Sequence, residues 1–185
     1  MKDEALRLAR GGYAVFPCRP NSKQPLHKGS FHSATVDEFQ IVSWWDACPD
    51  ANIAIYPDGS DPRLAILDVD VRDHGEDGRE TLREMADKPK IFPHTKSVWT
   101  PGGGMHLYYS LAEGQEVGSS TRRLGPGLDV RARGGYVLVP PSVIDDRQYK
   151  WKDSNSVVPA TDRFIEMAGA PEERHPDADK WLCEE

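Results

Sequence analysis

The sequence predicts one α+β domain with a largely antiparallel sheet, and three observations lead there. Helical spacing of apolar residues is concentrated near the start of the chain. Short aliphatic runs separated by glycine-rich turns dominate the middle. The 185 residues are enough for one domain to bury a core, and no internal repeat divides them.

Residues 2–10 set Ala5, Leu6, Leu8 and Ala9 at helical intervals, and Gly11-Gly12 ends that helix. Tyr13 to Cys18 follows as a strand, then a loop from Arg19 to Ser33 broken by Pro20, Asn21, Pro25 and Gly29. Thr35-Val36-Asp37-Glu38 has the spacing of a capping box for a helix carrying Phe39, Ile41, Val42 and Trp45, which stops near Pro49. Asn52–Tyr56 and Leu64–Val69 read as strands. A polar loop from Arg72 to Gly78 leads to a helix over Arg79–Ala86.

Strands are then expected at Lys96–Thr100, Leu107–Ser110, Leu128–Val130 and Tyr136–Val139, with an edge strand at Tyr149–Lys152 and a last helix at Thr161–Ala168. Residues 1–170 form the expected domain. Residues 171–185 are polar and acidic, as in a tail or the start of a linker.

Composition narrows the function classes. Charged residues make up 29% and mean hydropathy is -0.62, and no apolar stretch approaches the ~20 residues of a membrane span. The start, Met1-Lys2-Asp3-Glu4, lacks a secretory apolar segment, so a cytoplasmic location without membrane contact is expected. Cys18, Cys48 and Cys183 are scattered and odd in number, which indicates neither a disulfide framework nor a zinc ribbon. A net charge of -7 argues against coating duplex DNA by bulk attraction, but leaves room for a local basic groove.

The chemistry concentrates at Leu64-Ala65-Ile66-Leu67-Asp68-Val69-Asp70. In an extended chain Asp68 and Asp70 emerge on one face, two rises of about 3.3 Å apart. Carboxylates that close repel unless a cation lies between them, and a hard ion such as Mg²⁺ accepts this pair, with substrate phosphates completing its shell. The plainer reading is a strand end carrying solvated acids. Thr100-Pro101-Gly102-Gly103-Gly104-Met105-His106 is a second cluster. Its glycines allow close backbone approach and amides aimed at an anion, and His106 can donate to a phosphate oxygen; a hairpin with a surface histidine is the simpler alternative. Third, Asp129 stands alone on one face of Leu128-Asp129-Val130. Its burial requires a partner, either a shared cation or a salt bridge to Arg131 or Arg133.

Trp45 fits the buried stripe with Ile41 and Val42, while Trp44 is expected to be partly packed rather than stacked on a base. His74 reads as a solvated loop histidine rather than a metal ligand, and His27, His32 and His94 have no usable spacing.

In order along the chain, these pieces resemble one family. Tyr13-Ala14-Val15-Phe16-Pro17, Ser22-Lys23-Gln24-Pro25, Trp44-Trp45 and Pro49 through Ile55 come first. Leu67-Asp68-Val69-Asp70, Thr100 through Tyr108, Leu128-Asp129-Val130 and Gly134 through Ser142 complete a set that resembles the bifunctional DNA primase/polymerase domain. That domain is a branch of the archaeo-eukaryotic primase superfamily met in plasmid and phage replication proteins. The resemblance spans about residues 5–150. It implies an RRM-like sheet joined to a smaller N-terminal αβ unit, and template-directed nucleotidyl transfer.

On this resemblance Asp68, Asp70 and Asp129 match the family's metal-binding acids, implying two Mg²⁺ or Mn²⁺ ions, and Gly104-Met105-His106 matches its small-x-His motif. His106 and the amides of Gly103 and Gly104 would grip the triphosphate, with Lys23 as an added cation or only a solvated lysine. Arg131 and Arg133 would contact phosphate or template, or neutralise nearby acids. Two departures stand out: Gly102 where many relatives carry serine, and Arg133 where some carry an acid. The implied partners are single-stranded template and primer, dNTP or NTP, and a helicase in a longer chain. The rival readings are a metal-dependent phosphoesterase or nuclease, and a non-catalytic template- or origin-binding module.

Overall fold

A computed structural model describes residues 1–71, 77–86 and 91–170. Helix α1 (Lys2–Arg10) ends at Gly11, and its last-turn carbonyls accept the Gly11 and Gly12 amides. Strand β1 (Val15–Cys18) pairs antiparallel with β2 (Asn52–Ile55), and α2 (Glu38–Ala47) lies between them in sequence. The cap of α2 differs from the capping-box expectation. Asp37 is the N-cap and accepts from the Phe39 amide, while the Thr35 hydroxyl accepts from the Asp37 amide. Asp37 directly precedes the first helical residue, so its carboxylate reaches the Phe39 amide and Thr35 braces the cap instead of forming it. Trp45 is buried as expected, but Phe39 is 89% exposed because it falls outside the stripe of Ile41 and Trp45.

The larger sheet is built from β3 (Leu64–Val69), β4 (Ser97–Trp99), β5 (Met105–Ser110) and β6 (Leu128–Arg131). Helix α3 (Gly78–Ala86) follows β3. Next, β7 (Val137–Leu138) leaves this sheet and pairs with β2, completing a three-stranded sheet of order β1-β2-β7. Thus the smaller αβ unit borrows a strand from far along the chain. A hairpin of β8 (Val143–Ile144) and β9 (Arg147–Gln148) follows, and β10 (Lys150–Trp151) is the expected edge strand beside β4. Strand β11 (Val158–Pro159) pairs parallel with β5, and α4 (Asp162–Ala168) is capped by the Thr161 hydroxyl. The hairpin and β11 escaped the sequence because two-residue strands carry no periodicity. The larger sheet runs β10-β4-β5-β3-β6.

Two apolar clusters lie on its opposite faces. One joins Ile66, Val98 and Tyr108 to Phe16, Ile41, Trp45 and Ile53 of the smaller unit. The other packs Leu67, Val69, Leu128 and Val130 against Phe164 and Ala168 of α4 and Leu82 of α3. This is the α+β, mostly antiparallel architecture expected of the sequence. Among the described residues no helix is long and apolar enough to cross a membrane. The expected tail at 171–185, Cys183 and the His74 loop lie outside the described residues.

Candidate active site

Register creates the site. In β3, Asp68 is directly opposite His106 of β5 on one side and Asp129 of β6 on the other. Directly opposed residues of neighbouring strands share a face, so three polar side chains distant in sequence project together. Arg131 is opposite Ile66, one pleat along, and joins the same face. Alternation within β6 sends Leu128 and Val130 to the other side, into the second apolar cluster.

Their contacts are specific. His106 Nε2 is 3.4 Å from Asp68 Oδ1, and Arg131 Nε is 3.9 Å from Asp68 Oδ2. Arg131 Nη2 donates to Asp129 Oδ2 at 2.7 Å, and the Arg122 amide donates to Asp129 Oδ1 at 2.9 Å. Asp129 is therefore neutralised by the salt bridge that the sequence left open as one of two readings. Burial opposes the charge on Asp68, yet His106, Arg131 and Lys23 beside it together hold its carboxyl below the usual carboxylate range. His106 is itself buried, and its Nδ1 has no hydrogen-bond partner.

Asp70 continues the face just past the end of β3. Its backbone is fixed by two hydrogen bonds: its amide donates to the Gly127 carbonyl (2.9 Å), and its carbonyl accepts from the Gly78 amide (2.8 Å). Burial, then the charges of Asp68 and Asp70, push the Tyr149 phenol up, so both acids act on that one side chain.

A cleft of about 300 Å³ opens over Asp68 and His106, walled also by Lys23, Arg131, Tyr149 and the segment from Gly134 to Leu138, while Asp70 and Asp129 are not among its lining residues. Lys23 is brought there by its loop. The Tyr136 hydroxyl donates to the Lys23 carbonyl at 2.9 Å, and the buried Asn52 amide donates to the Ser22 carbonyl at 3.1 Å. Tyr136, Tyr149 and Asn52 were missed in the sequence; no local pattern marks a residue whose role is set by a strand crossing to another sheet.

Inside the glycine turn the Gly103 amide donates to the Thr100 carbonyl at 3.0 Å. Gly103 adopts φ +84°, and an added Cβ at Gly104 would sit 2.1 Å from the Val69 carbonyl oxygen. These glycines let the chain double back tightly against β3 so that His106 enters β5 beside Asp68. Arg133 also lies apart from the acids. It bonds Asp58 (3.0 Å) and Glu116 (2.8 Å), which Arg63 also contacts. His27 lies against Trp44, and His32 against Phe31.

Among the described residues no group of three His, Cys, Asp or Glu side chains is gathered tightly enough to ligate a metal as it stands. The donor chemistry nevertheless suits a hard divalent ion. Two carboxylates face each other across adjacent strands, and the chain has placed a cation, Arg131, against both.

The chain matches the family model described as bifunctional DNA primase/polymerase, N-terminal, over residues 5–173. No curated protein matches it.

Proposed function

The chain belongs to the bifunctional DNA primase/polymerase family, and from that premise we propose that its cleft performs metal-dependent nucleotidyl transfer onto a primer or a first nucleotide. One observation carries the proposal: Asp68 and His106, in register with the buried Asp129, line a cleft that also presents Lys23 and Arg131. Acids for cations and cations for a polyphosphate thus share one surface.

Asp68, Asp70 and Asp129 would hold two Mg²⁺ or Mn²⁺ ions, which supply acidity to the attacking 3′-hydroxyl and neutralise the departing pyrophosphate. Lys23 and Arg131 would bind the triphosphate, Arg131 with a planar fork suited to its oxygens. His106 would orient Asp68 through their close contact and donate to a phosphate oxygen. Phosphoryl transfer of this kind depends on positioning and charge, with little covalent work by the protein. Template, primer and nucleoside triphosphate are the substrates. Plasmid or phage DNA replication beside a helicase is the setting within the same proposal.

Primer–template, Mn²⁺ and a labelled dNTP test it. The primer is expected to lengthen with the native chain and to stay unextended with Asp68→Asn. Primer shortening would instead identify a nuclease, and metal-independent triphosphate binding without extension would identify a binding module.

A further inference from the structure

The two facing carboxylates already have a cation, and the chain supplies it. Arg131 Nη2 lies 2.7 Å from Asp129 Oδ2, with Nε 3.9 Å from Asp68 Oδ2. Opposed residues of an antiparallel pair have Cα atoms only about 4.5–5.5 Å apart, so their carboxylates would repel strongly without it. A small divalent ion bonds the same oxygens at about 2.0–2.1 Å. A guanidinium hydrogen held on Asp129 Oδ2 and an ion on that lone pair exclude one another. Arg131 also has somewhere to go: its side chain is 29% exposed on the wall of the cleft.

We propose that Arg131 is an internal counter-ion of the Asp68–Asp129 pair that a divalent ion displaces, and that the released guanidinium then binds the triphosphate. The inference rests on the reading that these acids hold a metal, and adds a coupling between metal and nucleotide. Each arrival removes an obstacle to the other: the ion frees Arg131, and the triphosphate gives it a new partner. Arg133, two residues on, has no such role because Asp58 and Glu116 engage it.

Mn²⁺ binding to the native chain is measured without nucleotide, by the resonance signal of the free ion, for wild type, Arg131→Met, Arg131→Lys and Arg133→Met. Removing the competitor in Arg131→Met should tighten Mn²⁺ binding on the order of tenfold, the scale of one charge-assisted hydrogen bond. Arg131→Lys, which lacks the fork spanning both acids, should tighten it by about threefold, and it carries the test if the methionine variant does not fold. Arg133→Met should leave Mn²⁺ affinity unchanged. At saturating Mn²⁺, nucleoside triphosphate should bind Arg131→Met about tenfold more weakly.

Opposite shifts in the two affinities are the expected signature. Unchanged or weaker Mn²⁺ binding in the folded Arg131 variants would overturn the proposal, as would an equal gain in Arg133→Met, which would mark bulk charge as the cause. Primer extension by wild type, run in parallel, separates the two claims. Extension with no Mn²⁺ gain in the variants removes the counter-ion and leaves the polymerase reading. A Mn²⁺ gain without extension does the reverse.

Discussion

The two faces of β3 are built on one backbone and do opposite work. Asp68 heads a row running from Val98 through His106 to Asp129, while Val69, one residue later, heads a row of Trp99, Met105 and Leu128. Burial does not distinguish them: Asp129 is 3% exposed and His106 4%, against 0% for Val69 and Leu128. What differs is the partner each side chain requires. The apolar row packs through Val69, Met105 and Leu128 into the cluster with α4, while Trp99 at its edge is 41% exposed. The acids of the polar row need charged or hydrogen-bonding partners, supplied by Arg131, His106 and the Arg122 amide. A one-residue slip would exchange the rows, placing carboxylates in the core and leucine in the cleft. Burial on the apolar side therefore specifies the site on the other.

The largest test of this separation is Asp68→Asn against Leu67→Ala. The asparagine keeps the shape and removes the charge, so nucleotide incorporation should fall on the order of 10³-fold or more, the scale seen when a group aimed at developing charge is lost. Its urea midpoint should stay close to wild type. Leu67→Ala vacates a fully buried position and should cost about 2–5 kcal/mol of stability, while the fraction still folded incorporates nucleotide at an undiminished rate. Urea titration and primer extension on both variants check the pair. If Asp68→Asn collapsed the fold, or Leu67→Ala silenced folded molecules, the two faces would not be separable.

Much of this division was legible beforehand. The run Leu64–Leu67 and the two acids after it define a strand whose bounds the structure reproduces, and alternation in Leu128-Asp129-Val130 already isolated Asp129. The end of α1 at Gly11 was written in capping chemistry, whereas Thr161, read as the first residue of the last helix, is its N-cap. What stayed hidden was pairing across long separations. Sequence spacing does not state that residue 68 meets 129 rather than another strand, nor that β7 leaves one sheet for the other and brings Tyr136 to the Lys23 loop. The partners of Arg131 and Arg133 were open for the same reason. The two residues are chemically alike, and only the fold assigns one to acids in the cleft and the other to Asp58 and Glu116.

A smaller effect is expected where the glycine turn meets the apolar row. A Cβ at Gly104 would sit 2.1 Å from the Val69 carbonyl oxygen, whereas one at Gly102 meets nothing within 4 Å. Gly104→Ala must push the turn away from β3 and should cost about 1–3 kcal/mol. Because His106 follows two residues later, incorporation should fall along with the melting temperature. Gly102→Ala should change neither. A harmless Gly104→Ala would show that the turn tolerates a shift and that His106 is positioned by the strand alone.

The smallest effect lies at the far end of the polar row, where Trp151, paired with Val98, donates its indole N–H to Glu4 at 3.4 Å. Burial opposes the Glu4 charge, but the Arg7 bonds, aided by Trp151, outweigh it and hold the carboxyl below its usual range. The native state thus favours the ionised form. Its contribution is complete above the ordinary carboxyl value of about 4.3 and is lost as pH falls through the lowered native one. Glu4→Gln should therefore be less stable than wild type near neutrality, and the gap should close as the solution is acidified. Salt should shrink it too, since Arg7 is largely exposed. Urea midpoints at several pH values read this directly, and parallel curves would deny Glu4 a charged role. Incorporation should be untouched, because Glu4 stands on α1 beside Arg7 at the row's edge, whereas Asp68 at its centre lines the cleft.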